Sequence, residues 1–167
     1  GAIAGIQVTL PTVYFQTATS SINESDTAAS QNIEVVVDNT AGNLPAPGSL
    51  PISVFVSITG SAVETRDYTA GIGVPTTFTV NGGNWPAPGT SRTFQIPVSA
   101  LDDTDIEGTE DIQLVLTVIG PGVLDTARRA HTVTVLDNDA LAVAPTVPVV
   151  DPGVGVAVAG AIDIQKT

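Results

Sequence analysis

Six carboxylates crowd into ten residues of the run 101-LDDTDIEGTEDIQLVL-116: Asp102, Asp103, Asp105, Glu107, Glu110 and Asp111. Side chains of one sign at that density repel each other, and a shared cation relieves them. Ca²⁺ suits such a group, because it takes about six to eight oxygen ligands in a flexible arrangement. Asp103, Asp105, Glu107 and Gly108 fall at the first, third, fifth and sixth positions of an EF-hand loop. Leu114 stands at the twelfth position, where that loop needs a bidentate Glu, and Ile112, Leu114 and Leu116 alternate as a buried strand does. The run is therefore no EF-hand. Taken alone it reads either as a hard-cation site or as a solvated acidic loop.

Other chemistry is thinly represented. The absence of cysteine excludes disulfides and thiolate zinc sites. His131 is the single histidine and shares a strand face with Val133 and Val135, so it reads as a packed or edge residue before a catalyst. There is no GxSxG elbow for a serine nucleophile. The carboxylates alone could do glycosidase work, but aromatic residues make up only 4% of the chain, too few for a sugar platform. No enzymatic activity and no small-molecule substrate are expected. A net charge of −12, from 17 acidic and 5 basic residues, argues against nucleic acid and against anionic membranes. The apolar stretch 152-PGVGVAVAGAI-162 is too short and too rich in glycine to span a bilayer, so no membrane insertion is expected.

The acidic run must be positioned by strands. Alternation places Val13 and Phe15 on one face of a strand over 12–20, with Tyr14 and Gln16 on the other. It turns Ile33, Val35 and Val37 inward over 31–38, and Ile52, Val54, Val56 and Ile58 to one face over 52–59. Further strands are predicted over 75–80, 92–98, 111–119 and 130–136, separated by Gly/Pro loops such as 40-TAGNLPAPGSLP-51. No segment carries helix caps with 3.6-residue periodicity. The fold class is all-β, a sandwich. Trp85, in 82-GGNWPAPG-89, is either an exposed contact or a packed loop anchor, and Arg128-Arg129 is the only basic pair. Asn23-Glu24-Ser25 fits a glycosylation sequon, a pattern too common by chance to use.

Four pieces recur in a family order: 21-SINESD-26, 67-DYTAG-71, 101-LDDTDIEGTEDIQLVL-116 and 132-TVTVLDND-139. On these pieces the chain from about 12 to 139 resembles the Calx-beta family. The resemblance implies an immunoglobulin-like seven-stranded β-sandwich, with Ca²⁺ at one end in the members that bind it. Position by position, it implies that Glu24, Asp67, Asp102, Asp103, Glu107, Glu110, Asp137 and Asp139 are the metal ligands. Asn138 departs from the pattern where a third terminal Asp is common, which lowers the charge by one. Asp105 and Asp111 are acids that the pattern does not require.

Such a sandwich needs neither end of this chain. Residues 1–11 form an apolar strand with Ile6, Val8 and Leu10 alternating, and 140–167 is an apolar extension of Ala, Val, Pro and Gly. Left uncovered on a monomer, both would present a sizeable apolar patch. The expectation is therefore a secreted or cell-surface structural subunit. Its N-terminal strand docks on the next copy, giving a head-to-tail filament, and Ca²⁺ binds at the acidic end. A calcium-binding adhesion or ligand module of a larger surface protein is the alternative.

Overall fold

The computed structural model describes residues 7–24, 29–43, 51–71 and 76–139, together with short strand segments in the last 27 residues. No helix among the described residues is long and apolar enough to cross a membrane. In chain order the strands are β1 (Thr12–Phe15), β2 (Thr19–Asn23), β3 (Ser30–Asp38), β4 (Ile52–Gly60) and β5 (Tyr68–Ala70). There follow β6 (Thr76–Val80), β7 (Ser91–Ala100), β8 (Glu110–Ile119), β9 (Val123–Leu124) and β10 (Ala130–Leu136).

They make two five-stranded sheets, ordered β5-β7-β3-β1-β9 and β2-β10-β8-β4-β6. The fold is an immunoglobulin-like sandwich. Its strands number ten among the described residues, where seven were expected. The difference has three local causes. The strand expected over 12–20 is two: β1 pairs antiparallel with β3 in one sheet, and β2 runs parallel to β10 in the other. Between them the chain crosses from sheet to sheet, tied by Gln16 N–H to the Glu34 carbonyl at 2.9 Å and by the Ala18 carbonyl to Thr132 N–H at 2.9 Å. Residues 16–19 at the crossing are exposed, and the buried positions shift from Val13 and Phe15 to Ile22 beyond it. The other two additions, β5 and β9, are three and two residues long, too short to show any period.

The alternating faces meet between the sheets. Ile33, Val35 and Val37 of β3 pack with Ile52, Val54 and Val56 of β4, and with Ile112, Leu114 and Leu116 of β8. Ile58, expected on the same face, is only partly buried near the end of β4. The strand there ends at Gly60, whose φ of 137° suits glycine, and a Cβ would stand 2.1 Å from the Asp111 carbonyl oxygen. That close approach seats the end of β4 against the start of β8. Trp85 is buried in the core as a loop anchor. The adjoining Pro86 carbonyl accepts a hydrogen bond from Asn39 Nδ2 at 2.9 Å.

At the chain ends, residues 7–10 are described outside any ladder. Gln7 and Thr9 are instead tied to Asn43 by hydrogen bonds of 2.7 and 2.9 Å. The remainder of the expected N-terminal strand, residues 1–6, lies outside the described residues. In the tail, β11 (Leu141–Val143) pairs antiparallel with β14 (Ile164–Lys166), and β12 (Val149–Val150) with β13 (Ala157–Val158). Among the described tail residues these are two separate two-stranded ladders, of three and two pairs.

His131 is 1% exposed, its ring 5.6 Å from that of Phe15. Nδ1 lies 2.8 Å from the Thr17 carbonyl, which only accepts, so Nδ1 carries the proton. Nε2 then accepts from the Ser20 hydroxyl at 2.8 Å. Burial lowers its pKa from the ordinary 6.5 despite the Thr17 carbonyl. The neutral ring's stabilising contribution is present in full above about 6.5 and is lost as the pH falls through the lower folded value. The stability advantage of the wild type over His131→Gln is expected to shrink as the pH drops from 7.5 to about 5, read by urea unfolding of both proteins. An advantage independent of pH would mean that the ring titrates alike in the folded and unfolded states.

Candidate metal centre

The end of the sandwich that carries the acids is built from strand termini. Glu24 follows β2, Asp67 precedes β5, Leu101–Asp103 follow β7, Glu110 opens β8, and Asp137 follows β10. Register brings them together: Val135 pairs with Glu110, Leu136 with Asn23, and Tyr68 with Ala100. Residues far apart in the chain therefore arrive at one place because the ladders beneath them leave no other alignment.

Asp67 is 1% exposed and closes a turn. Its N–H bonds the Val63 carbonyl at 2.9 Å, and its Oδ2 accepts from Val63 N–H at 2.5 Å. Thr65 in that turn has a φ of 75°, a left-handed conformation that costs a β-branched residue energy. The Asp67 carbonyl takes Leu101 N–H at 2.9 Å, which fastens the acidic run to the turn. Glu107 is placed from the other side, its N–H donating to Asp137 Oδ2 at 2.7 Å. Carboxylate oxygens of Asp67, Glu107 and Glu110 lie within 4.8 Å of one another, a set that could hold a metal ion.

The electrostatics are those of a site short of positive charge. Burial, and then the facing carboxylates of Asp137, Asp103, Glu107 and Asp67, push Glu24 from 4.5 up to about 7. Burial and the neighbouring Asp67 likewise raise Glu110. Burial would raise Asp67 too, but the Arg66 guanidinium and the Val63 N–H outweigh it and hold Asp67 below the usual range. Arg66 Nε sits 2.6 Å from Asp67 Oδ1, and Nη2 lies 3.2 Å from Glu107 Oε1 and 3.7 Å from Glu110 Oε1. Acceptor capacity is left over: Glu110 Oε2 is buried with no hydrogen-bond partner among the described residues, and the 4%-exposed Glu24 faces four other carboxylates. A hard, oxygen-seeking cation fits such a donor set.

Of the eight acids expected here, Asp67, Glu107 and Glu110 converge within ligand reach of one another, and Glu24, Asp103 and Asp137 face them. Asp102 is exposed and accepts from Asn138 Nδ2 at 3.2 Å, so the departure from the family pattern supplies a donor here. Asp139 closes a turn, its N–H on Asp137 Oδ1 at 2.7 Å. Of the two extra acids, Asp105 gives its backbone N–H to Asp103 Oδ1, and the Asp111 carboxylate is structural, exchanging hydrogen bonds with Ser61 and accepting from Gln113. The residue that sequence reasoning missed is Arg66. Its signal was a cation directly beside an expected ligand, in a chain with only five basic residues.

A raised folded pKa means that the fold holds a proton on Glu24 after the unfolded chain has released it. That contribution to stability is present below about 4.5 and is lost as the pH rises through about 7. In chelator, Glu24→Gln is therefore expected to be more stable than the wild type at pH 8, by up to about 3 kcal/mol, and to lose that advantage near pH 4.5. Denaturant titrations at the two pH values read it. Equal stability at pH 8 would show that Glu24 ionises there without penalty.

No protein-family model matches the chain, and the search of curated proteins finds no match. Solved structures do resemble it. The Calx CBD1 domain in its apo form superposes with a TM-score of 0.54 at 20% identity, covering 78% of this chain and 100% of that one. The Calx CBD2 domain gives 0.52 at 8% identity, covering 76% and 86%. The calcium binding domain CBD12 of CALX1.1 gives 0.51 at 19% identity, covering 75% of this chain and 44% of that one. The chain has a Calx-beta-like sandwich fold.

Proposed function

We propose that the chain is a secreted or cell-surface structural subunit that binds Ca²⁺ at the acidic end of its sandwich. Glu24, Asp67, Asp102, Asp103, Glu107, Glu110, Asp137 and Asp139 would supply the oxygens. The observation that carries this reading is the convergence of Asp67, Glu107 and Glu110 within 4.8 Å, beside a buried Glu24 that faces them together with Asp103 and Asp137. Like-charged groups are costly to bury without a counter-charge, and strand register gives these carboxylates no retreat. The solved calcium binding domain of CALX1.1, which shares the fold, supports the same choice of ion. The bound ion would neutralise the cluster and fasten four loops to one another. No catalytic role is assigned.

Calorimetric titration of chelator-stripped protein is expected to show Ca²⁺ uptake and a raised melting temperature. Stabilisation by mass action reaches about 2.7 kcal/mol when free Ca²⁺ is a hundredfold above Kd. Asp103→Ala should weaken uptake at least tenfold by roughly the loss of one charge-assisted contact, while Asp151→Ala, in the tail, should leave it unchanged. No heat and no thermal shift at millimolar Ca²⁺ would reject the ion.

Self-association belongs to the same reading. The N-terminal segment 3-IAGIQVTL-10 is apolar and alternating, and Val8 is 53% exposed. Described tail segments pair with one another, so the N-terminal segment, exchanging its hydrogen bonds to Asn43, would be the one to add to a neighbour's sheet edge, giving a head-to-tail homopolymer. Deleting residues 1–10 is expected to leave a folded monomer that no longer assembles, as seen by light scattering with a melting curve. A full-length chain that stays monomeric at high concentration, with and without Ca²⁺, would favour the other reading, a calcium-binding adhesion or ligand module of a larger surface protein.

A further inference from the structure

The carboxylates assigned above to Ca²⁺ already hold a cation of the chain's own. Arg66 reaches Asp67, Glu107 and Glu110 together, through Nε at 2.6 Å and Nη2 at 3.2 and 3.7 Å. These are the same three side chains whose oxygens lie within 4.8 Å of one another. Two features make the placement more than a surface ion pair. Arg66 adjoins Asp67 in a turn that is closed by its own hydrogen bonds, so the backbone delivers the guanidinium to the mouth of the centre. Its side chain is also 49% exposed, so it can swing into solvent without disturbing the core.

The guanidinium is an incomplete substitute for a metal ion. It brings one charge to a group that also contains Glu24, Asp103 and Asp137. It leaves Glu110 Oε2 buried without a partner among the described residues.

We propose that Arg66 is a tethered counter-cation that occupies the metal-free centre and competes with a divalent cation for Asp67, Glu107 and Glu110. The proposal rests on the calcium reading and adds a regulator to it. Arg66 stabilises the empty centre and, by the same contacts, raises the concentration at which the ion is taken up. A guanidinium stays charged at any physiological pH, so this competition does not fade as the solution becomes alkaline, as competition from a proton on Glu24 does.

The test uses the full chain, stripped with chelator and titrated with CaCl₂, as wild type, Arg66→Gln, Arg66→Lys and Arg128→Gln. Arg128 pairs with Asp125 at the opposite end and serves as the control for charge alone. Arg66→Gln is expected to bind Ca²⁺ roughly three- to tenfold more tightly, the range expected for releasing an ion pair of this exposure. Its metal-free form should also melt lower. Arg66→Lys should fall between the two, and Arg128→Gln should match the wild type. In the wild type, the Arg66 Nε–H resonance should move to the position of a solvated guanidinium as Ca²⁺ saturates. Unchanged or weaker affinity in Arg66→Gln, or an Arg66 resonance that does not move at saturation, overturns the proposal and leaves the calcium reading standing. Failure of both wild type and Arg66→Gln to take up Ca²⁺ overturns the calcium reading and this proposal with it.

Discussion

Mutual repulsion among carboxylates at one end of the sandwich is the constraint on which the rest of the site depends. Strand register fixes where Glu24, Asp67, Glu110 and Asp137 stand, and the ladders that fix it are also the core ladders. The acids cannot spread apart without shifting a buried face out of register. The repulsion therefore has to be answered locally. Three answers are at hand: a Glu24 carboxyl whose pKa is pushed up to about 7, a guanidinium held by Asp67, Glu107 and Glu110, and backbone N–H groups directed at Asp67 and Asp137. Each neutralises part of the charge, and buried acceptor capacity is left over at Glu110 Oε2.

The long strands were legible because they are buried on one face. Ile33, Val35 and Val37, or Ile112, Leu114 and Leu116, repeat at the pleat's period for a full strand length, and the core confirms each set. The crossing between β1 and β2 was not legible, because Val13, Phe15 and Ile22 all face the core although they lie in different sheets. A one-dimensional pattern records burial, and burial is the same on either side of the interior. β5 and β9 escaped for a simpler reason, since two or three residues carry no period.

Legibility of the site divides along similar lines. The acids were readable as residue types, and their order along the chain suggested that they meet. Which of them meet depends on loop geometry that residue types do not encode. Asp111 looks like another member of the cluster, yet it is spent on Ser61 and Gln113. Asn138 looks like a lost ligand, yet it donates to Asp102. Arg66 carries the opposite sign from everything sought, and its role became visible only when Asp67 proved to be buried beside it.

The crossing of the first strand has a mechanical consequence. β2 and β10 run side by side in the same direction, joined through five register pairs from Thr19↔Thr132 to Asn23↔Leu136. A pull on the chain before β1 and a pull on the chain after β10 act at opposite ends of this pair. The load then falls along the strands and stretches all their hydrogen bonds at once, where a hairpin would give way one bond at a time. The acidic end sits where β10 delivers that load, with Asp137 and Asp139 just past the last pair. A sandwich wired in this way resists tension applied along the chain, and whatever neutralises the cluster acts as the clasp at the loaded end.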